Sequence, residues 1–362
     1  MERKRNERMN NPVVGIDLGE KESVATYLLP DGTEKDRFTF SMDIPGYNSF
    51  SEKIPKDVRI AFEASGSAYV VDRNLRKLGY SDITVAHPKE LSWIIKSKKK
   101  NDRVDSLKLA RLHLVNMIPE SHLLSEDDRI SRDLLLQRVK LGKSIASLKN
   151  SIIGYLKREG LYASLPESVD NFSRKRRDAM KAIRFGNQKD LVLKTMLDRL
   201  AFHEQQAFTI ELEIRKNAKV SDTVKLLISI PGINYYLASL LSSYIGDIKR
   251  FQSSDKLASF FGVVPSNRDS STIKRRGHMS KDGSGTARWA LSLAVDTIII
   301  RNKPIREYYD SVKKRKGSGR FAHVSTMRKL VRMIFVMLRE NKKWKYEVTS
   351  LTEDKVARLE ED

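Results

Sequence analysis

The apolar pattern of this chain changes period once, near residue 134, and that change limits what it can fold into. From 13 to 105 short apolar runs alternate with helical stretches; from about Leu134 apolar residues recur at helical spacing. Val13-Val14-Gly15-Ile16-Asp17 reads as a short buried strand that ends in an acid. Ala25-Thr26-Tyr27-Leu28-Leu29 follows, and a Pro30-Asp31-Gly32 turn leads into Arg37-Phe38-Thr39-Phe40, which predicts a three-strand meander. Val58-Arg59-Ile60-Ala61-Phe62-Glu63 is another strand ending in an acid; a helix from about Ala68 to Leu78 and the strand Ile83-Thr84-Val85-Ala86-His87 come next. The order β-β-β-α-β-α-β-α predicts a mixed sheet covered by helices, an α/β domain.

Beyond the change of period, Leu134, Leu141, Leu148 and Tyr155 recur every seven residues with Ile145 and Ile152 between them. Met196, Leu200, His203, Ala207, Ile210 and Ile214 alternate by four and three. Two helices paired as an antiparallel hairpin are expected, either as a coiled coil or as part of a plain bundle. Leu227-Ile228-Ser229-Ile230-Pro231-Gly232-Ile233-Asn234 and the apolar run after it predict a helix-hairpin-helix, whose turn amides face a phosphate. A loop rich in Ser, Gly and bases (Pro265 to Gly285), an apolar helix (Ala287 to Ile300), a basic loop (Lys313 to Arg320) and a last helix (Ser325 to Arg339) make the C-terminal region mainly α-helical. The end, Glu360-Glu361-Asp362, reads as a frayed, solvated tail. The expected divisions are a basic tail over 1–10, the α/β domain over 11–127, the helical hairpin over 128–220, a C-terminal domain over 221–345 and an acidic tail over 346–362.

Charge narrows the partners. Lys plus Arg number 68 against 46 acids, a net charge of +22, which repels itself unless a polyanion neutralises it. Nucleic acid is the default polyanion. The excess is concentrated between Ser266 and Leu330, where 16 Lys/Arg face five acids. Cysteine is absent, which excludes disulfides, thiol nucleophiles, thiolate zinc and iron–sulfur clusters. The six histidines include no pair at zinc-helix spacing, so carboxylates are the expected ligands of any metal. No apolar run approaches the ~18 residues of a membrane span, and none follows the basic N-terminus as in a secretory signal. A soluble protein of the cytoplasm or nucleoid, with no membrane partner, is the expectation.

Four acids stand out. Asp17 and Glu63 end strands, and Asp102 and Asp105 lie three apart in Lys99-Lys100-Asn101-Asp102-Arg103-Val104-Asp105, on one face of a helix. Hard oxygen ligands converging from two strand ends and a helix suit a pair of Mg²⁺ ions about 3.5 to 4 Å apart, as in-line phosphoryl chemistry requires. Singly, each acid also suits a turn, an exposed surface or a helix cap. Lys98, Lys99 and Lys100 beside the Asp pair suit a phosphate backbone, and Arg174, Lys175, Arg176 and Arg177 form a second basic cluster. Lys274, Arg275, Arg276 and Lys281 form a third, and Lys313, Lys314, Arg315, Lys316 and Arg320 a fourth. Arg288 suits a phosphate contact and a structural salt bridge equally, whereas His203 reads as a seam residue and Tyr235, Tyr236 and Trp289 as core.

Val14-Gly15-Ile16-Asp17, Phe62-Glu63-Ala64-Ser65-Gly66 and Asn101-Asp102-Arg103-Val104-Asp105 resemble the D-E-D-D motifs of insertion-sequence transposases with a RuvC-like (RNase H-fold) domain, the group that includes the Piv DNA invertase. Ile230-Pro231-Gly232-Ile233, Phe261-Gly262-Val263-Val264-Pro265 and Arg276-Gly277-His278-Met279-Ser280-Lys281-Asp282-Gly283 resemble the C-terminal transposase domain of the same family. The resemblance covers nearly the whole chain in the right order. It implies a RuvC-like site in which Asp17, Glu63, Asp102 and Asp105 hold two Mg²⁺ ions. It also implies a catalytic serine five residues after the proline of Gly262-Val263-Val264-Pro265, here Ser270. Ser271 stands where the family commonly has glycine, so the register stays open among Ser270, Ser271 and Ser266. The reaction implied by the resemblance is the cutting and rejoining of donor and target double-stranded DNA through a covalent phosphoserine, with a structured RNA of the mobile element bridging the DNAs. A homo-oligomer, dimer or tetramer, is expected. Three other readings stay open: a RuvC-like junction nuclease without serine chemistry, an actin-like ATPase or sugar kinase, and a non-catalytic nucleic-acid-binding protein. The second is suggested by Val14-Gly15-Ile16-Asp17-Leu18-Gly19 and the hairpin after it, but residues 134–345 show no related second half.

Overall fold

Alternation decides the N-terminal sheet. In a computed structural model, which describes residues 11–94, 102–270 and 273–360, five strands form: β1 (Val13–Asp17), β2 (Glu22–Leu28), β3 (Glu34–Ser41), β4 (Arg59–Glu63) and β5 (Ile83–Ala86). Their order is β3-β2-β1-β4-β5. The meander β1-β2-β3 is antiparallel, whereas β1, β4 and β5 run parallel. Val14, Ile16, Ile60 and Phe62 share one face and pack with Phe50 of α1 (Ile44–Lys53) and with Val71 and Leu75 of α2 (Ala68–Lys77). The next residues along each strand, Gly15 and Asp17 on β1 and Arg59, Ala61 and Glu63 on β4, therefore belong to the opposite face. After α3 (Pro88–Ile94), α4 (Asp102–Leu114) covers that face. Ala110, Leu107 and Leu114 of α4 pack on Val13 and Leu28, and the hydroxyls of Ser106 and Thr26 are 2.8 Å apart. The expected α/β architecture is what forms.

Gly15 sets how close α4 comes. A Cβ on it would stand 2.3 Å from the Ser106 carbonyl oxygen and 2.4 Å from the Ala110 nitrogen, so strand and helix backbones touch there. At the far end of the same helix the buried Arg59 donates to the His113 carbonyl at 3.0 Å and to Asn116 Oδ1 at 2.6 Å. A cation at a helix C-terminus is favourable, and here it fixes the helix along the strand direction.

The chain divides at Leu124/Ser125 into two units. The second opens with α5 (Glu126–Arg158) and α7 (Lys189–Lys219), of 33 and 31 residues, each about 50 Å long at ~1.5 Å per residue. They run antiparallel, since Arg138 pairs with Glu211, Lys149 with Glu204 and Glu159 with Lys189. Ser125 caps α5 and three acids fill its first turn. At the tip, Leu148, Ile152, Tyr155 and Leu156 pack with Phe172, with Met180 of α6 (Arg174–Ala182) and with Leu193 and Leu200. At the root the heptad reading shifts. Leu135 and Val139 are buried with Ile214 and Ala218 in the C-terminal core, whereas Leu134 and Leu141 are only partly buried. The hairpin's root is thus part of the bundle, because a third layer of helices takes the face that a two-stranded seam would bury.

That layer comprises α8 (Asp222–Ile228), α9 (Tyr235–Ile245), α10 (Ser254–Phe260), α11 (Gly285–Arg301), α12 (Lys303–Lys316), α13 (Gly319–Glu340) and α14 (Thr349–Glu360). Ala290, Leu291, Ala294, Val295 and Ile298 of α11 are fully buried at its centre. Gly232, at φ 92° in the α8–α9 turn, lies against α11: a Cβ would stand 2.6 Å from Thr297 Cβ. Asn234 accepts from the Leu237 amide at 2.9 Å as the N-cap of α9, in extended backbone at φ −92°.

Three expectations are corrected here. Pro265–Ser270 (β6) and Ile273–Met279 (β7) form an antiparallel ribbon where a loop was expected. Neither strand carries apolar alternation, so backbone pairing makes the ribbon and leaves no trace in hydropathy. Lys313–Lys316 form the last turn of α12, closed by Gly317 at φ 63°, and not a loop; four bases complement the carbonyl end of a helix. Residues 349–360, expected as a frayed tail, form the docked α14 with Leu359 1 % exposed. Lys355 of α14 donates to the carbonyls of Ile228 and Ile230 at 2.7 and 2.8 Å, and burial pushes its ammonium down to about 8. No helix among the described residues is long and apolar enough to cross a membrane.

Candidate active site

Strand register brings the first two acids together. Ile16 pairs with Phe62 in the parallel β1–β4 ladder, so Asp17 and Glu63 follow as neighbours at the carboxyl ends of adjacent strands, about 4.8 Å apart across the backbone. Both belong to the face that α4 covers. That helix runs opposite to β1, because Ala110 packs beside Val13 while Ser106 touches Gly15. Its first residue, Asp102, one turn before Ser106, therefore comes at the strand ends where Asp17 and Glu63 stand.

The side chain of Asp102 lies outside the described residues. Asp105 accepts from Lys108 Nζ at 2.9 Å and is partly exposed. Among the described residues no three acids or imidazoles converge to hold a metal ion. The arrangement therefore supplies two adjacent oxygen donors and the helix end that carries the other two. Two carboxylates so placed repel each other and favour a cation between them, at the sheet end where open α/β sheets bind ligands.

In the second unit, Ser270 is the last residue of β6 and pairs with Ile273. Its side chain and that of Ser266 lie outside the described residues, as does Ser271 altogether. Lys274, Arg275 and Arg276 stand on β7 opposite Asp269, Arg268 and Asn267, their side chains likewise undescribed, and Lys98, Lys99 and Lys100 fall outside the described residues. Lys281, Arg174, Lys175, Lys313, Lys314, Arg315, Lys316 and Arg320 are exposed.

Three expected nucleic-acid contacts turn inward instead. Arg288 donates to the carbonyls of Gly283 at 2.5 Å and Phe261 at 3.5 Å, stapling the crossing where a Cβ on Gly262 would meet the Gly283 nitrogen at 2.7 Å. Arg176 is buried, bonded to Asn171 and set 5.1 Å from the Tyr162 ring centre. Arg177 binds both oxygens of Glu204 at 2.6 and 2.8 Å and holds that carboxyl below its usual range. Their partners lie up to 27 residues away on other elements, so a basic tetrapeptide alone does not reveal them. Trp289, expected in the core, is 40 % exposed. His203 is half-buried on α7, its Nδ1 2.8 Å from the Arg199 carbonyl.

Comparison with known proteins gives this geometry a family setting. Residues 14–159 match the transposase family DEDD_Tnp_IS110, and residues 224–310 match the transposase IS116/IS110/IS902 family. The transposase for insertion sequence element IS1111A of Coxiella burnetii is 25 % identical over 292 residues, 77 % of each chain. The insertion element IS116 uncharacterized 44.8 kDa protein of Streptomyces clavuligerus is 28 % identical over 133 residues, 36 % of this chain and 33 % of that protein. The insertion element IS110 uncharacterized 43.6 kDa protein of Streptomyces coelicolor is 24 % identical over 151 residues, 42 % of this chain and 37 % of that protein. The chain thus matches about a third of the length of the two Streptomyces relatives. The first family match spans the paired strand-end acids and the second spans Gly232 and Gly283, so the chain is similar, in that order, to the DEDD and the IS116/IS110/IS902 transposase families.

Proposed function

We propose that the protein is a metal-dependent DNA transposase of an insertion sequence, cutting and rejoining donor and target double-stranded DNA. In this reading the first unit is a RuvC-like, RNase H-fold domain whose site is Asp17, Glu63, Asp102 and Asp105, and Ser270 is the nucleophile. The observation that carries it is the juxtaposition of Asp17 and Glu63 on adjacent parallel strand ends, within a stretch that matches a DEDD transposase family. An all-oxygen donor set fits Mg²⁺, and cysteine is absent from the chain. A pair of such ions bound there would neutralise phosphate charge and favour ionisation of an attacking hydroxyl.

The chain's own residues do the rest. β1 and β4 hold two carboxylates in fixed register, and Gly15 lets α4 press its acidic first turn to the same end. The Ser270 oxygen bonds to phosphorus as one bridging P–O bond breaks; the serine proton ends on the departing strand oxygen, and reversal on a second strand rejoins the DNA. Exposed Arg174, Lys175, Lys281, Lys313, Lys314, Arg315, Lys316 and Arg320 are assigned to phosphates, with the Gly232 turn as a helix-hairpin-helix contact. An element-encoded RNA pairing with both DNAs supplies sequence, as in other guided systems, and a dimer or tetramer works at the nucleoid.

The test is incubation of the full chain with element-end DNA, candidate element RNA and Mg²⁺, followed by a denaturing gel. A covalent protein–DNA species is expected, absent from Asp17→Ala and Ser270→Ala. Its presence in Ser270→Ala and loss in Ser271→Ala moves the nucleophile by one residue. Full recombination in both serine variants removes the serine mechanism, and ATP turnover without DNA cleavage supports the kinase-like reading instead.

A further inference from the structure

We propose that Trp289 is a stacking platform for unpaired bases of the DNA strand processed at the β6–β7 ribbon. The inference rests on the transposase reading and adds to it a residue and a strand state. α11 buries one side completely, and its other side presents Trp289, Leu293 and Ile300, which are 40, 38 and 78 % exposed. The polar groups on that side are engaged: Ser292 Oγ lies 3.0 Å from His323 Nε2, and Asp296 lies 3.5 Å from Nδ1 of the same ring. What remains open there is an indole and two aliphatic side chains, with the Asp296 carboxylate, 64 % exposed, among them. On α13, which brings His323, Phe321 is also exposed, with Lys316 Nζ 5.8 Å from its ring centre and Arg320 beside it in sequence.

Charge decides which partner suits this surface. The segment from Ser266 to Leu330 carries 16 bases and five acids, and the whole chain is +22. A second copy would bring the same excess, so like charge would meet like; a polyanion is drawn to it. Aromatic faces set among bases hold nucleic acid by stacking, and stacking needs an open base face, which a duplex covers and a single strand offers.

The site also lies within reach of the ribbon. The ribbon's base is closed by Ser280 N, bonded to the Val264 carbonyl at 2.9 Å, and Ser284, four residues further on, caps α11. Ser270 stands five residues along β6 from Pro265, about 17 Å at ~3.4 Å per residue, and Trp289 about 8 Å along α11 from Ser284. With the step across the ribbon, about 5 Å, and the four residues from Ser280 to Ser284 added, the path between them is at most about 43 Å, roughly twelve to thirteen stacked nucleotides at ~3.4 Å each. A strand joined to Ser270 extends to the indole without leaving this part of the unit.

The experiment is a fluorescence titration of the full chain with a single-stranded DNA of about 12 nucleotides, the same sequence as RNA, and the DNA duplex. The single-stranded DNA is expected to quench tryptophan emission more than the duplex does. Trp289→Leu is expected to lose that quenching and about tenfold in single-strand affinity, with duplex affinity within about twofold, and Trp289→Phe to restore most of the loss. Trp289→Leu with wild-type single-strand affinity, while the covalent adduct still forms, overturns this inference alone. Equal weakening for duplex and single strand overturns it as well, as does a changed sedimentation coefficient with unchanged affinity, which makes the stripe a protein contact. RNA bound tenfold more tightly than DNA overturns the choice of strand. No DNA binding by the wild type overturns the transposase reading with it.

Discussion

The acidic end of the N-terminal sheet and the basic surface of the C-terminal unit are positioned by different parts of the chain. Asp17 and Glu63 are neighbours because a ladder that starts at Val13 and Arg59 reaches Ile16 and Phe62 in step. Backbone register places them, and the bare Cα of Gly15 places the helix above. In the basic clusters each side chain finds its own place. Arg174 and Lys175 stay in solvent while Arg176 and Arg177 turn to Asn171 and Glu204, and Arg288 binds the carbonyls of Phe261 and Gly283. Chemistry set by register follows from a short motif, whereas chemistry set by a distant partner waits for the fold.

Substitutions at both regions sharpen that contrast. Asp17→Asn, which keeps the ladder and removes a charge, is expected to lower strand cleavage about a thousandfold while DNA affinity measured by filter binding stays within about threefold; equal loss of both would make Asp17 a folding residue. Gly15→Ala is expected to cost about 3 kcal/mol in urea unfolding, since helix backbone rather than a flexible side chain meets the new methyl. A neutral result would break the claim that backbone contact positions α4. Arg177→Ala is expected to cost about 1 kcal/mol, its partly exposed pair with Glu204 being screened by solvent. Arg174→Ala is expected to leave the unfolding midpoint unchanged and to lower the slope of log affinity against log salt by about one. Identical behaviour of the two arginines would erase the distinction between inward and outward bases.

A pH dependence is also expected. Lys355 ionises near 8 when folded, below its unfolded value of about 10.4. Between these values the unfolded chain holds the proton that the folded chain has released, so stability rises with pH across that window. Below 8 both states are charged and the burial penalty is at its full value. The unfolding midpoint of the wild type is expected to improve relative to Lys355→Met from pH 8 to 10.5, and a difference that stays flat would contradict the shift.

The sheet and both strand-end acids were legible because period-two alternation and strand termini are local signals. Val13–Asp17 and Arg59–Glu63 form where the apolar runs predict. The paired long helices were legible for the same reason, but their seam was not, because Leu135 and Val139 answer to helices that arrive more than eighty residues later. The β6–β7 ribbon left no apolar trace, and α14 is held by Lys355, Thr352 and Leu359, contacts that an acidic tail does not advertise. Trp289 was misplaced because α11 is apolar on most of its circumference, and hydropathy does not say which arc stays open.

If Asp17 and Glu63 act together on a divalent cation, each must be needed to hold it. Electron paramagnetic resonance of Mn²⁺ titrated into the full chain without DNA reads that requirement without passing through catalysis. Bound Mn²⁺ is expected in the wild type and its loss in both Asp17→Asn and Glu63→Gln; binding that survives in either variant at wild-type strength would show that the two acids do not share an ion.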